Sequence, residues 1–199
     1  MRRELTTSLV AVVVFTILLG LVYPVGIWAV GQVAFPGKAD GSLVHVDGRV
    51  VGSSLIGQDF SRGPHARAYF QERPSADRYD AAGTFFSNRG PNQASAVAFY
   101  KQQLASYLAL EGRYDPGLTA AQVPVDAVTT SASGVDPHIS TANALIQAHR
   151  IAAVRHLSLA RVEQLIAQHT DGRFAGFLGE PGVNVLGLNI ALDKEAPVT

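Results

Sequence analysis

Cysteine is absent from this chain of 199 residues, which excludes disulfide frameworks, thiolate catalysis and Cys-ligated zinc or iron–sulfur centres. No sign of charge is in excess, since 16 Lys and Arg balance 16 Asp and Glu. That balance leaves no basic footprint for nucleic acid, whose binders cluster Lys and Arg on one face. The sequences that power nucleotide hydrolysis are missing as well. Gly37-Lys38 is followed by Ala39 and preceded at position 32 by glutamine, so no phosphate-cradling P-loop exists. Asp193-Lys194 runs on into Glu195 and cannot be the D-K-T-G of a phosphorylated aspartate. Neither H-E-x-x-H nor G-x-S-x-G occurs, which removes the signatures of zincins and elbow-type serine hydrolases.

One further absence is positional. From Leu5 to Gly37, 33 residues, no Asp, Glu, Lys, Arg or His occurs. Within it Leu9 to Gly31 has 18 apolar residues of 23, interrupted by Thr16, Gly20, Pro24, Gly26 and Gly31. At about 1.5 Å per residue such a helix reaches roughly 34 Å, enough to cross a hydrocarbon core of about 30 Å. A cleaved signal peptide is the rival, because Ala29-Val30-Gly31 offers small residues at a suitable spacing; an apolar core of this length favours a retained anchor. Arg2 and Arg3 precede the span and Lys38 and Arg49 follow it, so the positive-inside count leans to a cytoplasmic N-terminus and an extracytoplasmic remainder. Pro24 removes a donor inside the span, and Gly20, Gly26 and Gly31 offer small surfaces for close packing, so these four are candidates for an interface within the membrane. Ordinary membrane-helix composition is the alternative account of them.

The expected organisation is a short N-terminal segment (1–8), a transmembrane helix (9–31) and one soluble domain (38–199) of α+β class, with a small β-sheet and about three helices. Ser42 to Ser53 reads as a hairpin about Asp47-Gly48. Gly57 to Pro91, rich in Gly, Pro, Asn, Asp and Arg with scattered aromatics, reads as an ordered irregular segment, with a solvated loop as the alternative. Helices are expected over Asn92–Glu111, with Val97, Tyr100, Leu104 and Tyr107/Leu108 inward, over Thr141–Arg155 behind Ser140 as N-cap, and over Leu159–His169 behind Ser158. Alternation from Val183 to Leu192 suggests a final strand.

Two constellations could carry chemistry. His149 and His156 lie seven apart, about two helical turns and roughly 10 Å, too far to share one metal. Thr129 to Ser140 (TTSASGVDPHIS) gathers hydroxyls around Ser131, Ser133, Gly134, Asp136 and His138 just ahead of a helix N-terminus, where N–H groups favour an anion. These residues are the candidates for a weak nucleotide contact, with turns and caps as the competing use of the same side chains.

The run Val123-Pro124-Val125-Asp126 through Ser140, then Gln147 to Arg155, Leu178-Gly179-Glu180-Pro181-Gly182-Val183-Asn184-Val185-Leu186 and Asn189 to Asp193, closely resembles the C subunit of the Kdp potassium-transporting P-type ATPase. Gly52-Ser53, Leu55 to Gln58, Phe60, Tyr69-Phe70, Arg73 to Ala76, Asn88 and Gly90-Pro91 extend the likeness over nearly the whole chain. It departs at Gly83-Thr84-Phe85-Phe86-Ser87, where the family has a Ser/Gly-rich run. The resemblance implies a non-catalytic accessory subunit beside a channel-like potassium-binding subunit and a P-type ATPase subunit. It further implies a catalytic chaperone that raises the ATP affinity of the ATPase subunit. No tightly bound cofactor is expected, and ATP only as a weak or transient ligand. Arg73, Tyr79 and Asn88 of the irregular segment are candidates for a partner interface outside the membrane. An anchored solute-binding module and a tethered hydrolase remain as rival classes.

Overall fold

A computed structural model describes residues 2–83, 86–90 and 92–198. The chain folds as two compact units, Met1–Ser53 and Ser54–Thr199.

The first unit begins with a 33-residue helix, α1 (Arg2–Ala34), long and apolar enough to cross a membrane and with none of the residues of its apolar stretch buried. Its register widens to a π-turn over Leu18–Val22, where the Tyr23 N–H donates to the Leu18 carbonyl. The cause is Pro24: its ring has no N–H and would press on the carbonyl four residues back, so the turn ahead of it loosens. At about 100° per residue, Pro24 and Gly31 fall on the same side as Gly20, while Gly26 faces nearly the opposite way. A one-turn helix (Pro36–Ala39) follows, then the hairpin of β1 (Leu43–Val46) and β2 (Arg49–Ser53). Asp47 (φ 50°) and Gly48 (φ 75°) both hold positive φ, as a type I′ turn demands.

Among its described residues the second unit has four α-helices, α2 (Ala94–Glu111), α3 (Thr141–Arg155), α4 (Leu159–Gln168) and α5 (Val185–Glu195). A three-stranded antiparallel sheet accompanies them, with β5 (Gly182–Asn184) central between β3 (His138–Ile139) and β4 (Thr170–Asp171). The mixed α+β class stands. Ser140 and Ser158 cap α3 and α4 as their hydroxyl oxygens accept from the Asn143 and Arg161 N–H groups. The core joins Ile139, Ala148, Ile151, Ile166, Val183, Leu188 and Leu192 to Phe70, which is fully buried and contributes roughly 1.5–3 kcal/mol.

Two sequence expectations give way. The final strand is a helix after its first residues: Val185, Leu188, Asn189 and Leu192 are buried at helical spacing, and Asn184 caps the turn by accepting from the Gly187 N–H. On α2, Val97 (45 % exposed) and Tyr100 (36 %) face solvent, and its fully buried positions are Ala96 and Glu111. The reason lies in its partner: α2 packs on a polar face of α3, where Tyr107 Oη donates to Asn143 Oδ1 (2.8 Å) and Arg150 Nε donates to both Glu111 carboxylate oxygens (2.9 and 3.1 Å).

That polar face also fixes the irregular segment. Gln147 accepts from the Gln71 N–H (2.7 Å) and donates to its carbonyl (3.0 Å), and Asn189 does the same for Phe70 (2.9 and 3.0 Å). Two carboxamides therefore stand in for a neighbouring strand. Arg150, fully buried, donates to the Arg67 and Tyr69 carbonyls, and Arg155 to those of Ala68 and Ala196. The segment from Gly57 to Tyr79 is thus held in place by these side chains, its regular structure being the short 3-10 helix Ala66–Ala68. Thr84, Phe85 and Pro91, part of the sequence reading there, lie outside the described residues; Phe86 is half exposed.

Candidate functional site

Arg73 is where the irregular segment meets the polar stretch ahead of α3. Its guanidinium donates to Asp136 Oδ2 (3.3 Å), Thr129 Oγ1 (3.4 Å) and the Thr130 carbonyl (3.4 Å). Ser75 Oγ donates to the Gly134 carbonyl (2.7 Å), and Gly57 N–H to that of Val135 (2.8 Å). Gly57 is required there, because a Cβ would lie 2.7 Å from the Asp136 carbonyl oxygen. Tyr79 folds back so that its hydroxyl donates to the Arg73 carbonyl.

Beside this contact opens a cleft of about 320 Å³. Gln58, Glu72, Arg73 and Tyr79 of the irregular segment line it together with Gln103 and Tyr107 of α2. Burial pushes the Glu72 carboxyl up to about 8, with the Gln58 N–H opposing and the Asp136 carboxylate reinforcing the shift. Burial likewise raises the Tyr79 and Tyr107 hydroxyls. Glu72 Oε2, Arg73 Nε and Asp77 Oδ2 are buried without a hydrogen-bond partner among the described residues.

The candidate nucleotide residues are adjacent but engaged. Ser131 Oγ accepts from Gly134 N–H (2.8 Å), Ser133 Oγ from Val135 N–H (3.2 Å), and Asp136 Oδ1 from His138 N–H (3.0 Å). His138 Nε2 lies 3.1 Å from Asp171 Oδ2. The N-terminus of α3 already faces a carboxylate, because Asp126 accepts from Ser140 N–H (2.8 Å), Ser140 Oγ (2.8 Å) and Asn143 Nδ2 (3.1 Å). A phosphate there would compete with these bonds. Of the three candidate interface residues, Arg73 and Tyr79 are brought together, whereas Asn88 is exposed, left-handed (φ 50°) and not part of the cleft lining. His149 is half-buried in α3 and His156 is its left-handed C-cap. Among the described residues no group of three His, Cys, Asp or Glu is placed to hold a metal ion.

Sequence reading missed Glu72, Gln147, Arg150 and Asn189. For Gln147 and Arg150 a signal existed: they sit three apart on α3, next to the apolar Ala144/Ala148/Ile151 stripe, where a solvated polar residue would be out of place.

The family model for the c chain of the K+-transporting ATPase matches residues 5–194. The chain belongs to the KdpC family. A potassium-transporting ATPase KdpC subunit from Mycobacterium tuberculosis (strain ATCC 25618 / H37Rv) is 47 % identical over 197 residues, covering 98 % of this chain and all of the relative. The Koribacter versatilis KdpC subunit is 44 % identical over 200 residues, covering all of this chain and 98 % of the relative. That of Methylococcus capsulatus is 49 % identical over 196 residues, with 97 % and 98 % covered. Membership spans both units, so α1 is as much a part of the KdpC pattern as the folded remainder. A helix of this length and composition fits a single-pass membrane anchor.

Proposed function

We propose that this protein is the accessory C subunit of an ATP-driven potassium uptake complex, in which hydrolysis belongs to a separate P-type ATPase chain and potassium binding to a channel-like subunit. The observation that carries the reading is the KdpC match from residue 5 to residue 194, which takes in anchor and folded unit together. Co-expression with the other Kdp subunits tests it: the chain should co-purify with them after detergent extraction, and their potassium-stimulated ATPase activity should fall when it is left out. Independent purification with undiminished activity of the remainder would sink the assignment. The same experiment separates the second reading, an anchored extracytoplasmic solute-binding module, which the cleft beside Arg73 favours by its size and unpartnered polar atoms.

Three finer statements belong to this proposal. The N-terminus is cytoplasmic and residues 38–199 extracytoplasmic, a reading supported by Arg2 and Arg3. Gly20, Pro24 and Gly31 on one side of α1, and Gly26 on the other, pack against neighbouring subunits in the membrane, while Arg73, Tyr79 and Asn88 meet one outside it. The chain raises the ATP affinity of the ATPase subunit as a catalytic chaperone, an effect transmitted through α1 or through the external face of the channel-like subunit, because an external domain meets almost no ATP.

Any direct ATP contact is weak and lies at Ser131, Ser133, Gly134, Asp136 and His138, since those hydroxyls already hold turns and no Lys or Arg occurs between Arg113 and Arg150 in the sequence. Titration of the full chain in detergent with ATP should show weak binding that Ser133→Ala and His138→Ala diminish. Tight binding, or binding indifferent to both substitutions, defeats this part.

A further inference from the structure

Apart from the cleft beside Arg73, the folded unit holds a second cavity, of about 480 Å³, with no lining residue in common. Its polar side chains converge from separate stretches of chain: His65 and Arg67 at the 3-10 helix Ala66–Ala68, Tyr114 just past the end of α2, and Arg155 and His156 where α3 stops. No Asp or Glu is among the described residues that line it. Arg155 is already engaged, donating to the Ala68 carbonyl (2.8 Å) and to Asp193 Oδ1 (2.8 Å), so it builds the wall and brings no spare charge. His65, Arg67 and His156 are exposed and Tyr114 half-buried, and none of these four side chains has a hydrogen-bond or ionic partner among the described residues.

The backbone beneath these groups is fixed. The Arg67 carbonyl accepts from buried Arg150 (2.6 Å) and the His65 carbonyl from the Ala68 N–H (2.8 Å), while the Tyr114 N–H donates to the Glu111 carbonyl (2.9 Å). His156 is left-handed (φ 56°) at the end of α3, where glycine is the usual residue and any side chain costs about 1 kcal/mol or more. That strained position puts an imidazole on the cavity wall.

We propose that this cavity binds a phosphate group carried on a small organic body, held by His65, Arg67, Tyr114 and His156. Charge and donor chemistry select the ligand. A cation would meet the Arg67 guanidinium with no lining carboxylate to hold it. A carboxylate has two oxygens for a guanidinium fork, two imidazoles and a phenol, whereas a phosphate monoester has three and a charge of about −1.5 to −2 near neutral pH. The volume lies within the roughly 300–1,000 Å³ of small-molecule sites, which leaves room for a body against Val154, Pro197 and Val198. A lipid headgroup and a soluble phosphate ester share this chemistry. The site is independent of the subunit reading and of the weak ATP contact, since none of Ser131, Ser133, Gly134, Asp136 and His138 lines it.

The full chain in detergent, with its histidines isotope-labelled, supplies the test. Titration with inorganic phosphate, against sodium chloride at equal ionic strength, should move the ring signals of His65 and His156 saturably and leave the other four imidazoles in place. Arg67→Gln should melt as wild type does, because the side chain is exposed, yet bind phosphate roughly tenfold more weakly or worse. Arg67→Lys should fall between the two, and Ser133→Ala with His138→Ala should change nothing. Two further arms separate the sources. In nanodiscs containing phosphatidic acid the same two signals should move without added phosphate if a headgroup is the ligand; in phosphatidylcholine nanodiscs they should move only with added glycerol 3-phosphate if it is a soluble ester. No saturable movement with any of the three probes, an equal movement with chloride, or a movement that Arg67→Gln leaves unchanged would each overturn the site. None of these outcomes touches assembly with the other Kdp subunits, which co-purification reads separately.

Discussion

Glu72 is an acid in the wrong place for an acid. Its carboxyl lies beside Gly57, near Tyr79 and the Asp136 backbone; Oε1 accepts from the Gln58 N–H (3.3 Å), and Oε2 has no hydrogen-bond partner among the described residues. Burial lifts it to about 8, so it is mostly protonated at neutral pH. The sign of the linkage follows from that rise. A group whose folded pKa lies above its unfolded value adds stability that is full below about 4.5 and is lost as pH climbs through about 8. At about 1.4 kcal/mol per pH unit the loss is on the order of a few kcal/mol. Melting of the full chain in detergent, followed by circular dichroism from pH 5 to pH 9, should show stability falling up to pH 8 and levelling above. Glu72→Gln should flatten that slope and be the more stable form at pH 8. An unchanged slope in the variant would mean that Glu72 titrates as an ordinary surface carboxyl. None of this was legible in the sequence, where Glu72 is one acidic residue in a polar loop; its burial depends on Gly57 and Asp136, residues 15 and 64 positions away.

At the scale of elements, local signals were read well and competing ones were not. Asp47-Gly48, Ser140 and Ser158 act within a few residues of themselves, so the hairpin and the starts of α3 and α4 lie where the sequence puts them. Leu186, Leu188, Ile190 and Leu192 satisfy a period of two, while Val185, Leu188 and Leu192 satisfy one of 3.6. The tie is broken by the Asn184 side chain capping Gly187 and by the core against which α5 lies. The segment that clamps residues 67–71 was legible as ordered but not as to how, since Gln147 and Asn189 reach it across 76 and 119 positions.

For α1 the sequence predicts an ordinary span with a defect at Pro24, and the π-turn over Leu18–Val22 is that defect in backbone form. A helix serving only as a tether has no use for it. Replacing Leu9 to Gly31 by a poly-Leu span with the same flanks should leave the chain inserted yet lower both co-purification and potassium-stimulated ATPase activity of the complex. Full activity would remove Gly20, Pro24, Gly26 and Gly31 from the interface.

The whole molecule poses the question of sides. If α1 crosses once, every residue after it lies in one compartment, and the chaperone role and the ATP contact depend on which. Arg2 and Arg3 ahead of the span, weighed against Lys38 and Arg49 beyond it, tip the positive-inside count toward a cytoplasmic N-terminus by a margin of charge that calls for direct measurement. The absence of any native cysteine supplies the means. Ser106 lies on the exposed side of α2, so Ser106→Cys should leave the fold intact and give one reactive thiol. With the domain outside, a membrane-impermeant maleimide added to intact cells should label that thiol to the extent seen after lysis. Labelling only after lysis would put residues 38–199 in the cytoplasm. The ATP contact would then face millimolar nucleotide, a weak site would be occupied, and transmission through α1 would no longer be needed to explain an effect on the ATPase subunit.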